Sequence, residues 1–396
     1  MQILKLALRN ILGAGLRTWL NVTALSFSFV VIVFLQGFYQ GMNDQVERAT
    51  VDALYGGGQY WQERYDPYDP LTLADSHAAI PPQLQALVNE HTATPILIHL
   101  ASIYPEGRFQ TVLLKGIDPS QKVLSIPSSL LSPSMGVTGS DAGIPAIIGS
   151  RMAKSTGLKK GDEITVQWRD VHGTFDAKDV TIVDVFRTTV QEIDNEQIWI
   201  PLGQLQQMTG MGGQATMLVL KENLQPPGKV SGWEFKSLDF LLSDLRTLVR
   251  SKTIGASILY LVLLFLAMLA IFDTQVLSVF HRKKEMGTLM ALGMTRTRLI
   301  ALFTLEGAFH GVLAAVLATV YGIPLLGYVA RVGWELPEAV DQIGFAIGER
   351  LFPIYSPALI LGTTLLVMIV TTIVSYLPTR RIARLKPTDA LRGRAS

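Results

Sequence analysis

Residues 19–39 read WLNVTALSFSFVVIVFLQGFY, an apolar run without a single charge. A helix rises about 1.5 Å per residue, so roughly 20 residues cross the ~30 Å hydrocarbon core of a bilayer. This stretch has that length. A long, mostly polar segment, 42–250, follows it, and three further apolar runs crowd the end of the chain: Ile254–Phe272, Leu299–Leu326 and Pro353–Leu377. The pattern predicts an α+β membrane protein. Four transmembrane helices would carry a large extracytoplasmic mixed α/β domain inserted between helices 1 and 2.

The expected segments follow in order. An amphipathic N-terminal helix occupies 1–18, the first span 19–41, the domain with its stalk 42–250 and the second span 251–280. A cytoplasmic loop covers 281–298, the third span 299–330, a short outside loop 331–352, the fourth span 353–377 and a cytoplasmic tail 378–396.

Charge orients these segments, because Lys and Arg near span ends mark the cytoplasmic side. Residues 1–18 carry Lys5, Arg9 and Arg17 with no acid. The 281–298 loop sets Arg282, Lys283, Lys284, Arg296 and Arg298 against Glu285 alone, and the tail sets six basic residues against Asp389. The insert holds 17 basic and 24 acidic residues. Both termini and the loop are therefore expected in the cytoplasm and the insert outside.

The first span does not read as a cleavable signal: its apolar run is too long for an h-region, and no small-x-small site follows. Before it, Ile3, Leu4, Leu8, Ile11 and Leu12 fall roughly on one helical face, as in a helix lying along the inner leaflet. The alternative is a basic flank with no fold of its own. Cysteine is absent; a domain of this size can bury a core without disulfides, so the absence does not identify the compartment.

Within the insert, Met42–Leu54 and Leu238–Arg250 both have helical spacing and adjoin spans, so together they predict a stalk; the alternative is that each caps the domain core. Strands are expected after Gly56, at Pro95–Tyr104 and Phe109–Ile117 around Pro105-Glu106-Gly107, near Ile147, and at Glu163–Trp168, Val180–Phe186, Gln197–Pro201 and Ala215–Lys221. Helices are expected at Gln83–Glu90, in the stretch ending at Leu158, and at Leu202–Met208. Ser125–Gly143, rich in Ser, Pro and Gly, reads as a loop, and Lys159-Lys160-Gly161-Asp162 as a turn.

Missing motifs exclude whole classes of function. No G-x-x-x-x-G-K-[ST] occurs, so the chain cannot hold a nucleotide in a P-loop. The six His residues lack metal-ligand spacing, and there is neither an H-E-x-x-H nor a G-x-S-x-G. Glu192, Asp194 and Glu196 are expected as a solvated face rather than as catalytic carboxylates.

The loop HRKKEMGTLMALGMTRTR (281–298) is the sharpest local signal. As a helix it sets Met286, Leu289, Met290 and Gly293 on one face. Met adapts to irregular partner surfaces, and Gly287 and Gly293 permit close backbone approach. The bland alternative is a basic helix held at the lipid surface. Against it, the apolar stripe is short and broken by glycines, and its basic residues sit at both ends.

Three stretches resemble the FtsX-like, MacB-type permeases of ABC transporters. RKKEMGTLMALGMTRTRLIALFTLEG (282–307) follows an E-x-G-x-x-x-A-L-G pattern. YLPTRRIARLKPTDALRG (376–393) follows P-x-x-R-x-A-x-x-x-P-x-x-A-L-R. LKLALRNILGAGLRTWLNVTALSFSFVVIVFLQGF (4–38) is similar to the family's first span. FLQGFYQGM and the insert motifs IIGSRMAKSTGLKKGDEITVQ, VTIVDVF and IWIPLGQLQQMTG look most like the lipoprotein-releasing, LolC/LolE-type branch, although GGGQYW (56–61) departs from that pattern's G-H-I-x-I.

The resemblance implies a non-catalytic permease subunit of a bacterial inner membrane, its domain on the periplasmic side. It would pair with a second copy or a paralogue and be driven by a separate ABC ATPase. No cofactor would sit in this chain; ATP and Mg²⁺ would bind the partner. Glu285, Met286, Gly287, Leu289, Met290, Leu292, Gly293 and Met294 would form the helix that couples to the ATPase. Further partners would be lipoprotein, lipid, or a periplasmic carrier or adaptor, with no nucleic acid.

Glu306 and His310, four apart on the third span, share a face. Intramembrane ionisable groups point by default to function, yet Glu306 lies near the inner end and could pair with Arg282 or Arg298. A seating role is favoured over a proton relay. Asp273 reads as interfacial. Three functions fit the layout: movement or release of a lipidated substrate, MacB-like efflux of peptides or small molecules with an adaptor, and regulation of a cell-wall hydrolase.

Overall fold

A computed structural model describes residues 16–132, 143–188, 190–335 and 350–382. The expected helix over 1–18, the tail 378–396 and the outside loop 331–352 lie largely outside those residues. Contacts divide the chain into two compact units, one holding Asp44–Leu248 and the other the apolar helices and their connections.

Helix α1 (Leu16–Thr50) ends in a π-helical turn, Val51–Tyr55. There follow β1 (Gln59–Gln62), β2 (Ala78–Ala79), α2 (Pro82–Asn89), β3 (Ala93–Ile103), β4 (Gln110–Ile117), β5 (Ile144–Gly149), α3 (Ser150–Thr156), β6 (Glu163–Arg169) and β7 (Phe175–Phe186). Next come β8 (Gln197–Pro201), α4 (Leu202–Thr209), β9 (Gln214–Ala215), β10 (Met217–Leu220) and β11 (Trp233–Lys236).

The main sheet runs β11-β1-β10-β3-β4-β8-β5-β7-β6, and β6 returns to pair with β3. Six strands, from β3 to β6, thus close into a barrel, and β10, β1 and β11 extend it. The eleven-residue β3 makes this possible: Ala93–Ile96 pair with β10, while Ala101–Ile103 pair with β6. A shorter strand could not serve both.

Period-2 alternation decides what lies inside the barrel. On β6, Ile164, Val166 and Trp168 are buried, while Glu163, Thr165, Gln167 and Arg169 are exposed. The inward side chains join Leu97, Ile103, Leu114, Ile148, Ile182 and Ile200 in one core. A second core, with Ile96, Ile98, Ile147, Trp199 and Met217, packs beneath Leu124, Leu131 and Ile193. Strands between two cores are apolar on both faces, and β8, Gln-Ile-Trp-Ile-Pro, is buried throughout.

Three elements differ from expectation. Strand β7 begins at Phe175, five residues earlier than expected, because Phe175–Asp179 pair with Thr165–Arg169 of β6; these five are exposed and show no alternation. Ala215–Lys221 splits at Thr216, where the side-chain hydroxyl, in place of a backbone carbonyl, accepts a hydrogen bond from the Ile98 amide (3.1 Å). The helix expected over Leu238–Arg250 opens with a separate turn, Leu238–Leu241, capped by the Ser237 hydroxyl, and restarts after Leu242. The acidic run is also corrected: Glu192 and Glu196 are exposed, but Asp194 is buried.

The remaining helices are α5 (Ser243–His281), α6 (Lys283–Ala291), α7 (Arg296–Val332) and α8 (Pro357–Ile382). Among the described residues, Trp19–Tyr55, Arg296–Val332 and Pro357–Arg380 are long and apolar enough to cross a membrane. The expected span Ile254–Phe272 lies within α5, whose described apolar stretch is Ser257–Leu266.

Val22, Leu25 and Val33 of α1 pack with Ala314 and Ala318 of α7 and with Val367 and Val374 of α8. Small residues set these close approaches: a Cβ at Gly311 would lie 2.8 Å from the Thr371 hydroxyl, and one at Gly41 would strike the Phe352 carbonyl. Polar pairs tie the same helices, with Ser26 3.1 Å from the Tyr321 hydroxyl and the Thr363 hydroxyl donating to Gln36 at 3.0 Å.

Candidate functional site

The loop 281–298 forms a compact helical corner. Helix α6 starts where the backbone breaks at Arg282 (φ −96°, ψ 14°) and ends at Leu292. Gly293 then adopts φ +95°, the left-handed conformation that glycine enters at least cost. The turn closes on itself: the Gly293 amide donates to the Met290 carbonyl (3.1 Å) and the Met294 amide to that of Leu289 (3.0 Å). Thr295 then caps α7, its hydroxyl accepting from the Arg298 amide.

Arg282 sits at the hub. Its Nε and Nη2 donate to the two carboxylate oxygens of Glu285 at 2.5 and 2.6 Å, a bidentate pair on the first turn of α6. Its Nη1 donates to Glu306 of α7 at 2.5 Å, and its guanidinium carbon lies 4.6 Å from the Phe303 ring centroid. Glu306 is buried, and a buried carboxylate is costly without a cationic partner. Arg282, of the two arginines considered, supplies it.

The expected site residues separate into two faces. Met286 is buried against Leu299, Leu302 and Phe303 of α7, and Leu289, Met290 and Met294 pack partly on the same cluster. Gly287 is buried, whereas Glu285, Leu292 and Gly293 are exposed, Leu292 at 80%. Of the stripe expected to meet a partner, Met286 is therefore covered by the chain's own third apolar run, while Leu289 and Met290 are half-buried and Gly293 is exposed. Helical spacing shows that a face is apolar without showing which surface takes it. Leu292 is exposed, as are Lys284, Thr288, Arg296 and Arg298 of the same corner.

Glu306 and His310 are in contact through the backbone. The His310 Nδ1 donates to the Glu306 backbone carbonyl (2.8 Å), while the Glu306 carboxylate turns to Arg282. Sequence reasoning missed Leu299, Leu302 and Phe303. The R-x-x-E spacing of Arg282 and Glu285, one helical turn apart, was the available signal for the hub.

In the other unit, Arg246 of α5 donates to Glu47 of α1 at 2.6 Å and to Asp239 at 2.9 Å. Those contacts bring together the two segments expected to form a stalk.

Comparisons with known proteins accord with these features. A family model described as FtsX-like permease C-terminal matches residues 257–387, and one described as MacB-like periplasmic core domain matches residues 18–227. Two lipoprotein-releasing system transmembrane proteins LolC, from Xylella fastidiosa strains 9a5c and Temecula1, are each 22% identical over 98% of this chain and 94% of their own length. An uncharacterized ABC transporter permease of Methanocaldococcus jannaschii is 29% identical over 131 residues, 33% of this chain and 30% of that protein. The MacB-like match alone takes in more than half of the chain, and the chain belongs to the FtsX/MacB family of ABC transporter permeases.

Proposed function

We propose that this permease is the non-catalytic membrane subunit of a transporter that releases or extracts lipoproteins from a bacterial inner membrane. The exposed tip of α6 carries the reading. Leu292 stands exposed at a corner that also exposes Lys284, Arg296 and Arg298, while Met286 and the Arg282–Glu306 pair secure the helix to α7. A separate ATPase with an apolar pocket and an acidic rim would receive it. ATP and Mg²⁺ would bind there, since this sequence has no P-loop of its own.

Four crossings put both termini and α6 in the cytoplasm and the barrel domain in the periplasm. The permease works as a dimer with a second copy or a paralogue. Closure of the ATPases presses on α6, and the stalk held by Arg246 and Glu47 passes the movement to the domain, which acts on an amphipathic, lipidated substrate. The end-to-end likeness to LolC supports that cargo. The MacB-like core match supports a second reading, efflux of peptides or small molecules with a periplasmic adaptor.

The deciding experiment captures an ABC ATPase on the tagged permease and reconstitutes both with a triacylated lipoprotein in proteoliposomes. ATP-dependent transfer of the lipoprotein to a soluble carrier is expected. Absence of transfer, with ATP turnover stimulated instead by a peptide or small molecule, would favour efflux.

A further inference from the structure

We propose that Arg282 is a positioning residue that latches α6 to α7, so that the coupling helix and the third span move as one body while α5 hinges at Arg282. This rests on the reading of α6 as the coupling element. Chain connectivity alone suggests another transmission path, because α6 follows α5 after a single residue. The contacts point the other way.

Three kinds of contact join α6 to α7. Through one guanidinium, Glu285 of α6 and Glu306 of α7 are bridged at 2.5–2.6 Å, with Phe303 of α7 beneath the same group. Met286 is sealed among Leu299, Leu302 and Phe303. The short turn between the helices is held at both ends by the Gly293 and Met294 amides and the Thr295 cap.

On the α5 side, the helix breaks at Arg282 (φ −96°, ψ 14°), and Leu277 in its last turns is about half exposed. A planar fork can pair bidentately with one carboxylate, reach a second and stack on an aromatic face; an ammonium, a point charge with three donors, holds the same groups without that fixed geometry. The same side chain that breaks away from α5 therefore fixes α6 to α7.

The latch is testable in the full-length chain in nanodiscs, because the sequence contains no cysteine. Spin labels at Thr288→Cys with Val316→Cys report α6 against α7; Thr288→Cys with Leu266→Cys reports α6 against α5. All three positions are exposed. The 288–316 distance distribution should be the narrower of the two. Arg282→Gln should roughly double its width, Arg282→Lys should fall between, and Glu285→Gln should give a smaller broadening if Arg282→Gln proves unstable. An unchanged 288–316 width in folded Arg282→Gln and Glu285→Gln, or a narrower 288–266 distribution in the unsubstituted protein, would overturn the latch.

A second measurement uses the complex with its ATPase, trapped by ATP and vanadate. The 288–316 distance should hold while the 288–266 distance shifts. Movement of 288–316 would mean that thrust does not run through α7. Failure of any ATPase to bind would refute the functional reading, while the distance widths in the permease alone would still decide whether the latch exists.

Discussion

The Asp194 carboxylate accepts a hydrogen bond from the Arg151 backbone amide at 3.0 Å, tying a single helical turn, Gln191–Asp194, to the start of α3. The N-cap residue of α3, Gly149, has no side chain with which to cap it. Asp194 takes that role from a distant segment, with the Ser150 hydroxyl 3.3 Å away and the Arg151 guanidinium at 3.5 Å. A carboxylate at a helix start also meets the positive end of the helix dipole.

Asp194→Ala is therefore expected to destabilise the domain by about 1–2 kcal/mol, the cost of losing a cap. Asp194→Asn should cost less, because it keeps an oxygen acceptor. Thermal unfolding of an excised 44–248 fragment, expected to be soluble and to fold alone, provides the measurement. Equal melting temperatures for Asp194→Ala and the unsubstituted fragment would show that the contact carries no stability.

Lys115 lies on β4 beside Trp199, its amine 5.1 Å from the ring centroid. Burial pushes this amine down to about 8 from its ordinary 10.5, with Glu192 partly opposing the shift. The unfolded chain thus holds the proton more tightly than the folded one between those values. Folding stability should rise with pH across that window, and the penalty is fully present below pH 8. Lys115→Met should raise the melting temperature at pH 7, and its advantage should shrink from pH 8 towards 10.5. A melting difference that stays constant from pH 7 to 10.5 would mean that burial does not lower the amine from its ordinary 10.5.

The strands were largely legible because they alternate or run apolar between turn residues: Glu163–Arg169 and Gln197–Pro201 have the expected boundaries to within a residue. Barrel closure was not legible. It depends on β3 pairing with β10 along one half and β6 along the other, and residues 93 and 166 carry no mark of that in local periodicity. Strand β11 was hidden because four residues containing Glu234 and Lys236 resemble a loop. At the candidate site, sequence spacing grouped Met286, Leu289 and Met290 correctly on one face. It could not distinguish a partner's surface from Leu299 and Phe303, which are themselves part of an apolar run.

Topology is open to a direct test, again because introduced cysteines stand alone. A membrane-impermeant maleimide applied to intact cells should label Phe175→Cys, which is exposed on the barrel domain. Leu292→Cys, exposed at the tip of α6, should react only after the membrane is permeabilised. External labelling at position 292 would invert the proposed orientation.

The two faces of α6 should separate stability from coupling. Met286→Asp would place a charge among Leu299, Leu302 and Phe303, at a cost of several kcal/mol if it stays unpaired. Reduced yield and a lowered melting temperature are expected, with ATPase association lost only as a consequence. Leu292→Asp leaves that cluster untouched and alters the exposed tip, so the permease should insert and melt normally but lose ATPase binding. Arg296→Ala should do less, since an exposed charge contact is worth about 0–1 kcal/mol. Gly293→Val should act through the backbone, because φ +95° disfavours a β-branched residue although nothing crowds its Cβ. The measurements are detergent-solution melting, pull-down with the ATPase and ATP turnover of the reconstituted complex. Normal association of Leu292→Asp would remove the tip of α6 from the interface.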